Sequence, residues 1–227
     1  GLREAGAGTA PMAPAVGHVS AADVRATFVA VHDTIARCGL DPALLDDLVS
    51  AFAQDVTTTR YDTWRAVLDY CRRSANPVGR LVLGIAGVRD ADALRQSDAV
   101  CTALQLTNFW QDLGDDWRVR QRLYVPADVM ARHGATTAAL DAGVPDPAWR
   151  EVLDDLGEKT MALFAEGRPV SEAVRGRLRY ELRATWLGGT TILRRTLDVR
   201  RRSLDERPAL SRGDLLRIAI AACLRTP

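Results

Sequence analysis

Apolar residues recur with a helical period along almost the whole chain from residue 19 onward. Ser20, Asp41 and Ser211 are residues that cap helix N-termini, and Gly39 and Gly134 are suited to end helices. No segment of useful length alternates apolar and polar residues as a strand would. The predicted helices span about 20–37, 42–55, 63–76, 78–85, 92–116, 127–133, 147–166, 170–202 and 211–224. We therefore predict an all-α fold with long helices packed around one core.

The first eighteen residues differ from the rest. Residues 1–18 are rich in Gly, Ala and Pro, which is typical of a linker or an irregular segment. We interpret 19–227 as one helical domain, because this length suits a single core. The chain starts at Gly1 rather than at a methionine, so we expect it to be part of a longer protein.

A row of polar side chains runs along the predicted helix at 92–116. Gln105, Asn108, Asp112 and Asp116 are three, four and four residues apart, so they share one helical face. Such a row is usually the solvated side of a helix. Here the stretch from Ala99 to Leu113 is too apolar to expose one broad side to water, so we expect the row to point into the domain.

Two carboxylates buried in that way would repel each other and lose their hydration unless a cation were present. Carboxylate and amide oxygens are hard ligands that suit Mg²⁺, which commonly bridges to substrate phosphates. The row therefore predicts a Mg²⁺–diphosphate site inside a helical cavity.

A second segment, Tyr70 to Arg80, ends a helix with small residues and a proline at 77. Such a break lets a bulky ligand approach the backbone, although a simple corner between two helices explains it equally well.

Composition excludes several classes of protein. The net charge is +1 and no basic block is present, so nucleic acid is not an expected partner. The four cysteines form no C-x-x-C pair, which favours free thiols in a reducing compartment and a cytoplasmic location. No apolar run is long enough to cross a bilayer, and peripheral contact with the inner face of the membrane stays open. No Gly-rich dinucleotide fingerprint is present, so no nicotinamide is expected.

With both segments in view, the chain resembles the squalene/phytoene synthase family of head-to-head isoprenoid synthases over about residues 21–224. In that family Gln-x-x-Asn-x-x-x-Asp-x-x-x-Asp binds Mg²⁺ and the substrate diphosphate, and it corresponds here to the polar row. Further matches are Tyr70-Cys71, the Arg122-x-Tyr124-x-Pro126 segment, and Asp55 followed by Arg60-Tyr61. The resemblance implies an isoprenoid synthase-type helical bundle with a central cavity.

The resemblance also implies roles for individual residues. Mg²⁺ would be ligated by Asn108, Asp112 and Asp116; substrate contacts would come from Gln105, Asn108, Asn76, Arg122 and Tyr124; and Tyr70, Asp112 and Asp116 would be catalytic.

Within the family, the segment from Ser74 to Gly79 and the stretch from Asn108 to Asp112 are similar to bacterial hydroxysqualene synthases of hopanoid biosynthesis. The implied reaction converts presqualene diphosphate and water to hydroxysqualene and diphosphate.

Two departures from the family pattern leave alternatives open. The first aspartate-rich motif is absent before residue 40, as if the N-terminal helices of the bundle were missing, and Gln121 replaces the glycine expected before Arg122. A non-catalytic relative that serves as an interaction protein is one alternative. A presqualene diphosphate or phytoene synthase is another.

Overall fold

The computed structural model describes residues 20–224 of the chain. The predicted irregular segment 1–18 lies outside these residues. Within them the structure is helical apart from turns and one isolated β-bridge between Arg60 and Leu123. The predicted all-α class is confirmed. No described helix is long and apolar enough to cross a membrane.

The chain divides into two units between Gly39 and Leu40. In the first unit, helix α1 spans Ala21–Cys38. The Ser20 hydroxyl accepts the N–H of Asp23 at the start of this helix, and Gly39 ends it in the left-handed conformation. Both caps were predicted from the sequence.

The second unit holds the remaining helices. They are α2 (Ala43–Thr57), α3 (Trp64–Ser74), α4 (Asn76–Ile85), α5 (Ala91–Gln111), α6 (Leu113–Arg120), α7 (Ala127–His133), α8 (Ala138–Asp141), α9 (Pro147–Gly167), a 3-10 helix (Arg168–Ala173), α10 (Arg177–Arg200) and α11 (Arg212–Cys223).

Helix α5 is the centre of this unit and packs against α4, α9 and α10. Trp110 and Phe164 are fully buried there. Gly189 lets α10 approach closely, because a Cβ at that position would lie 2.5 Å from Leu104 and 2.7 Å from Phe164. Burial of these large side chains supplies the main driving force for folding this unit.

Outside the polar row, two predicted boundaries differ from the structure and one short helix was not predicted. The break predicted at Pro77 lies at Ala75, and the proline sits in the first turn of α4, where its missing N–H is harmless. The helix predicted from 170 begins at Arg177, after the 3-10 helix and Gly176 with φ 62°. The short helix α8 was not predicted.

The most important difference lies within the polar row. The helix predicted to run to Asp116 ends at Gln111, and α6 then continues to Arg120. The Gln111 carbonyl accepts a hydrogen bond from Arg200, a residue far along the chain, so a local pattern could not reveal the break. The segment predicted as irregular from Arg118 is helical in its first residues, as the continuation of α6.

Candidate active site

The polar row is continuous across the break at Asp112. Asp112 N–H donates to Asn108 O at 2.9 Å, and Asp116 N–H donates to Asp112 O at 2.8 Å, so the helical register is kept across the junction. Asp112 itself has φ −95° and ψ 4°, which lies outside the helical region, so the interruption is confined to this one residue. The four residues therefore still follow one another along one side of α5 and α6.

Burial along the row is uneven. The Asp116 side chain is 7% exposed and that of Asp112 is 19% exposed, whereas Gln105 is partly buried and Asn108 is exposed. The expectation that the whole row points into the domain is wrong at Asn108, because the described residues leave that position of α5 uncovered.

Each carboxylate of the row is paired with an arginine. Asp116 accepts a hydrogen bond from Arg120 Nη1 at 2.7 Å, one turn along α6. Asp112 forms an ion pair with Arg207, which lies in the segment between α10 and α11. From the sequence we expected a cation to balance the charges of these two carboxylates. In the described residues, guanidinium groups balance them.

The chemistry of this donor set suits a hard divalent cation. Asn108, Asp112 and Asp116 present amide and carboxylate oxygens on one side of the helix, and the exposed Asn108 side chain makes no hydrogen bond to the described residues. Within residues 20–224 no three His, Cys, Asp or Glu side chains are grouped closely enough to hold a metal. An ion held by two carboxylates and one amide takes its other ligands from water or substrate, as Mg²⁺ commonly does.

An aromatic cluster lies beside the row. It consists of Tyr61, Tyr70, Phe109 and Tyr124, all of them buried. Phe109 and Tyr124 are stacked with ring centroids 3.6 Å apart and an angle of 5° between their planes. Tyr70 lies 6.0 Å from Phe109 and 5.9 Å from Tyr124. The helix that carries the polar row therefore also carries one member of this cluster.

The hydroxyl group of Tyr70 is bound by a carboxylate. It lies 2.8 Å from Asp55 Oδ1 and 2.9 Å from Oδ2, so it donates to that group. Burial and this hydrogen bond raise the pKa of Tyr70 well above its ordinary value of 10. Burial also raises the pKa values of Tyr61 and Tyr124. All three phenols therefore stay neutral at physiological pH and cannot act as bases there.

Arg122 joins the aromatic cluster to the carboxylates. Its Nη1 donates to Tyr124 Oη at 3.2 Å, and its Nη2 donates to the main-chain oxygen of Asp55 at 2.6 Å. The charges of Asp55 and Asp116 both act on this guanidinium. The buried Nε of Arg122 has no partner in the described residues. A buried donor without a partner is uncommon in folded proteins, and the residue as a whole is only partly buried, so the charge of the guanidinium still acts at the surface of the site.

The turn before Arg122 has an unusual backbone. Gln121 has φ 51°, the only positive φ of a non-glycine residue within 20–224. Its carbonyl oxygen accepts from Arg60, whose guanidinium lies 4.8 Å from the centre of the Trp117 ring. Arg122 N–H then donates to Asp116 O at 3.0 Å. This is the position where the family pattern has glycine, which adopts such a conformation without strain.

Asn76 is separate from the row. Its Oδ1 accepts from Thr102 Oγ1 at 2.9 Å, and it borders a cavity of about 170 Å³ between α2, α3, α4 and α5. In the described residues no hydrogen bond connects it to Asp112 or Asp116. Its predicted contact with substrate stays a prediction, as do the roles of the other site residues.

Sequence reasoning missed Arg207, which pairs with Asp112 of the row, and Arg200, which binds the carbonyl of the neighbouring Gln111; both lie about 90 residues away in sequence. Arginine accounts for nearly all of the basic residues in this chain, so neither residue stood out. Nothing in the spacing of residues 201–211 distinguishes Arg207 from the other arginines, so one sequence alone could not select it.

Comparison with known proteins agrees with this architecture. The family model for squalene/phytoene synthase matches residues 7–214. The hydroxysqualene synthase of Rhodopseudomonas palustris is 38% identical over 141 residues, which are 62% of this chain and 48% of that protein. The hydroxysqualene synthase of Sinorhizobium fredii is 37% identical over 161 residues, 70% of this chain and 55% of that protein. The chain thus spans about half the length of these relatives.

Solved structures show the same fold. The squalene synthase HpnC from Alicyclobacillus acidocaldarius has a TM-score of 0.73 and 39% identity, and the match covers 78% of this chain and 66% of that one. A dehydrosqualene synthase in complex with ligand has a TM-score of 0.75 at 20% identity, with 81% of this chain and 65% of that chain covered, and this likeness concerns the fold alone. From the family match and these relatives together, the chain belongs to the squalene/phytoene synthase family.

Proposed function

We propose that the protein of which this chain is part converts presqualene diphosphate and water to hydroxysqualene and diphosphate. The observation that carries this proposal is the position of the buried aromatic cluster directly beside Arg122, Asp55 and Asp116. A site for an isoprenoid diphosphate needs this combination, because its anionic head must be held next to an apolar region for its tail. The relatives named hydroxysqualene synthase support the specific reaction.

The reaction begins with loss of the diphosphate group. The carbon–oxygen bond to the diphosphate breaks, and the electron pair leaves with the oxygen. Arg122 can donate a charge-assisted hydrogen bond to the leaving group from its partly exposed guanidinium, whose Nη atoms carry more N–H groups than their two observed hydrogen bonds use. A bound Mg²⁺, held by Asn108, Asp112 and Asp116, would supply Lewis-acid neutralisation of the leaving diphosphate.

The resulting cyclopropylcarbinyl cation needs a stabilising environment without strong bases. Neutral Tyr70 suits this role, since its hydroxyl donates to Asp55 and its ring is thereby made more electron-rich. The rearranged cation then accepts a water oxygen, a carbon–oxygen bond forms, and a proton is released to solvent. The balance needs no oxidant or reductant.

The test uses the full-length protein with presqualene diphosphate and Mg²⁺, followed by product analysis. We expect hydroxysqualene as the product. Squalene formed only when a nicotinamide is added would contradict the water-trapping step. Phytoene formed from a longer diphosphate, or no turnover at all, would favour the phytoene synthase or the non-catalytic alternative.

The role of the row is tested by Asp112→Ala and Asp116→Ala. Each variant is expected to lose at least ~100-fold in turnover, the cost typical of removing one group that stabilises developing charge. The matched control is Asp115→Ala, because Asp115 is exposed, lies between the two in sequence, and only pairs with Arg118 at 3.4 Å. Turnover retained in both test variants would contradict the metal assignment.

A further inference from the structure

A buried arginine closes the C-terminal end of α10. Arg200 is 1% exposed and has no carboxylate partner among the described residues. Its Nη1 donates to Leu204 O at 2.6 Å, and its Nη2 donates to Gln111 O. The guanidinium therefore connects the last residue of α5 to the segment between α10 and α11, which we call the α10–α11 segment (residues 201–211).

Gln111 makes the second connection between the same two parts of the chain. Its side chain is buried, and its Nε2 donates to Pro208 O. The α10–α11 segment also lies directly on the start of α6: a Cβ at Gly114 would be 2.0 Å from Leu204 O. Two buried polar side chains thus bind this segment to the α5–α6 junction, and the missing side chain at Gly114 leaves room for it.

The residues that this arrangement fixes are next to the ion pair of the polar row. Asp112 directly follows Gln111, and Arg207 directly precedes Pro208. The Asp112–Arg207 pair is consequently flanked by the hydrogen bond that joins Gln111 to Pro208. A buried guanidinium with only carbonyl partners is costly to keep, and an apolar residue of the same volume would pack there without that cost. The guanidinium contributes a fixed arrangement, because a planar group with several donors holds two carbonyl groups at set distances from each other.

We propose that Arg200 is a positioning residue which, together with Gln111, sets the placement of Asp112 and Arg207 for binding Mg²⁺–diphosphate. This inference rests on the proposed function of Asp112. Arg200 itself contacts neither ligand nor Asp112; it acts through the two main-chain oxygens that it binds.

The experiment measures binding of inorganic pyrophosphate with Mg²⁺ to the full-length protein by calorimetry, and hydrogen exchange in residues 203–210. Arg200→Met is expected to weaken pyrophosphate binding at least tenfold and to speed exchange in that segment. Arg200→Lys is expected to recover part of both, because an ammonium group can reach one carbonyl but not hold two in a plane. Gln111→Met removes only the bond to Pro208 and is expected to weaken binding by a smaller factor.

Leu193→Ala is the matched control, since Leu193 is fully buried on the same helix, two turns before Arg200, and its apolar side chain makes no hydrogen bond to the junction. It is expected to lower the melting temperature while leaving pyrophosphate affinity unchanged below the transition.

The inference is overturned if Arg200→Met binds pyrophosphate like wild type and exchanges at the wild-type rate, or if Leu193→Ala weakens binding as much. If Arg200→Met does not fold, the lysine and Gln111→Met variants decide between the two outcomes by the same two measurements. If wild-type protein binds no Mg²⁺–pyrophosphate, the proposed function of Asp112 fails, and exchange in 203–210 still decides whether Arg200 holds the segment.

Discussion

The hydroxyl of Tyr70 donates to the carboxylate of Asp55 across the gap between α3 and α2, with oxygen–oxygen distances of 2.8 and 2.9 Å. Both residues belong to motifs that the family resemblance selected, and the structure brings them together. Arg60, which follows Asp55 in the same motif, donates to main-chain oxygens and covers Trp117 instead of pairing with that carboxylate.

Tyr70→Phe tests this pair. The change leaves the half-buried Asp55 carboxylate without its donor, so we expect a loss of about 2 kcal/mol in the free energy of unfolding. Turnover is expected to fall about three- to tenfold, because the ring stays but loses its polarised hydroxyl. Tyr180→Phe is the control, since the Tyr180 side chain is exposed. Equal effects of the two changes in denaturant unfolding would contradict a role for the Asp55 contact.

Gln121→Gly tests the strained turn before Arg122. Gln121 has φ 51°, a conformation that costs a residue with a Cβ about 1 kcal/mol or more and costs glycine little. The change also removes the bond from Gln121 Nε2 to Trp117 O at 2.8 Å. We expect relief of strain to outweigh the loss of this bond by a fraction of a kcal/mol, which corresponds to a rise in melting temperature of about 1–2 °C.

Gln121→Ala separates the two effects, because it removes the side-chain bond and keeps the strain. Calorimetry should therefore show a melting temperature below that of wild type for Gln121→Ala and above it for Gln121→Gly. A melting temperature of Gln121→Gly below that of wild type would show that the Gln121 side chain, rather than the backbone, determines the stability of this turn.

Asp214 gives a prediction for pH. Hydrogen bonds from Ser211 and Arg195 hold the pKa of this buried carboxyl well below its ordinary value of 3.8. A group with a lowered pKa in the folded state adds stability that is fully present above its ordinary pKa and is lost as pH falls toward the folded value. Asp214→Asn should therefore destabilise the protein at pH 7, and the difference from wild type should shrink progressively below about pH 4.

Unfolding measured in urea from pH 7 down to pH 3 checks this expectation. Asp198→Asn is the control, because Asp198 is exposed and only pairs with Arg202 at 3.5 Å on the surface. A difference between Asp214→Asn and wild type that stays constant over the whole range would contradict the ionic origin of the effect.

Local chemistry explains what could be predicted from the sequence. Ser20 and Ser211 each accept a backbone N–H three residues ahead, so short patterns sufficed to place the starts of α1 and α11. For α3 and α5, which are capped by Thr63 and Asp90, the sequence offered a second candidate in each case, Asp62 and Asp92. The common face of Gln105 to Asp116 also follows from spacing alone.

Tertiary contacts explain what could not be predicted. The carbonyl at the end of α5 is bound by Arg200, and the partner of Asp112 is Arg207, both brought close only by the folded chain. The exposure of Asn108 depends on which helices cover α5, and no periodicity in α5 itself contains that information. The predicted Mg²⁺ and substrate contacts remain predictions for the experiments above.

The close contact at Gly114 has a consequence for engineering this fold. Because Leu204 O occupies the place of its missing Cβ, the residue tolerated at 114 is decided by the backbone of a segment about 90 positions later. A library randomised at 114 should return glycine wherever the 201–211 loop keeps its length, and shortened or grafted loops should release that restriction. The side chains accepted at position 114 would then show whether a grafted α10–α11 segment packs against the α5–α6 junction.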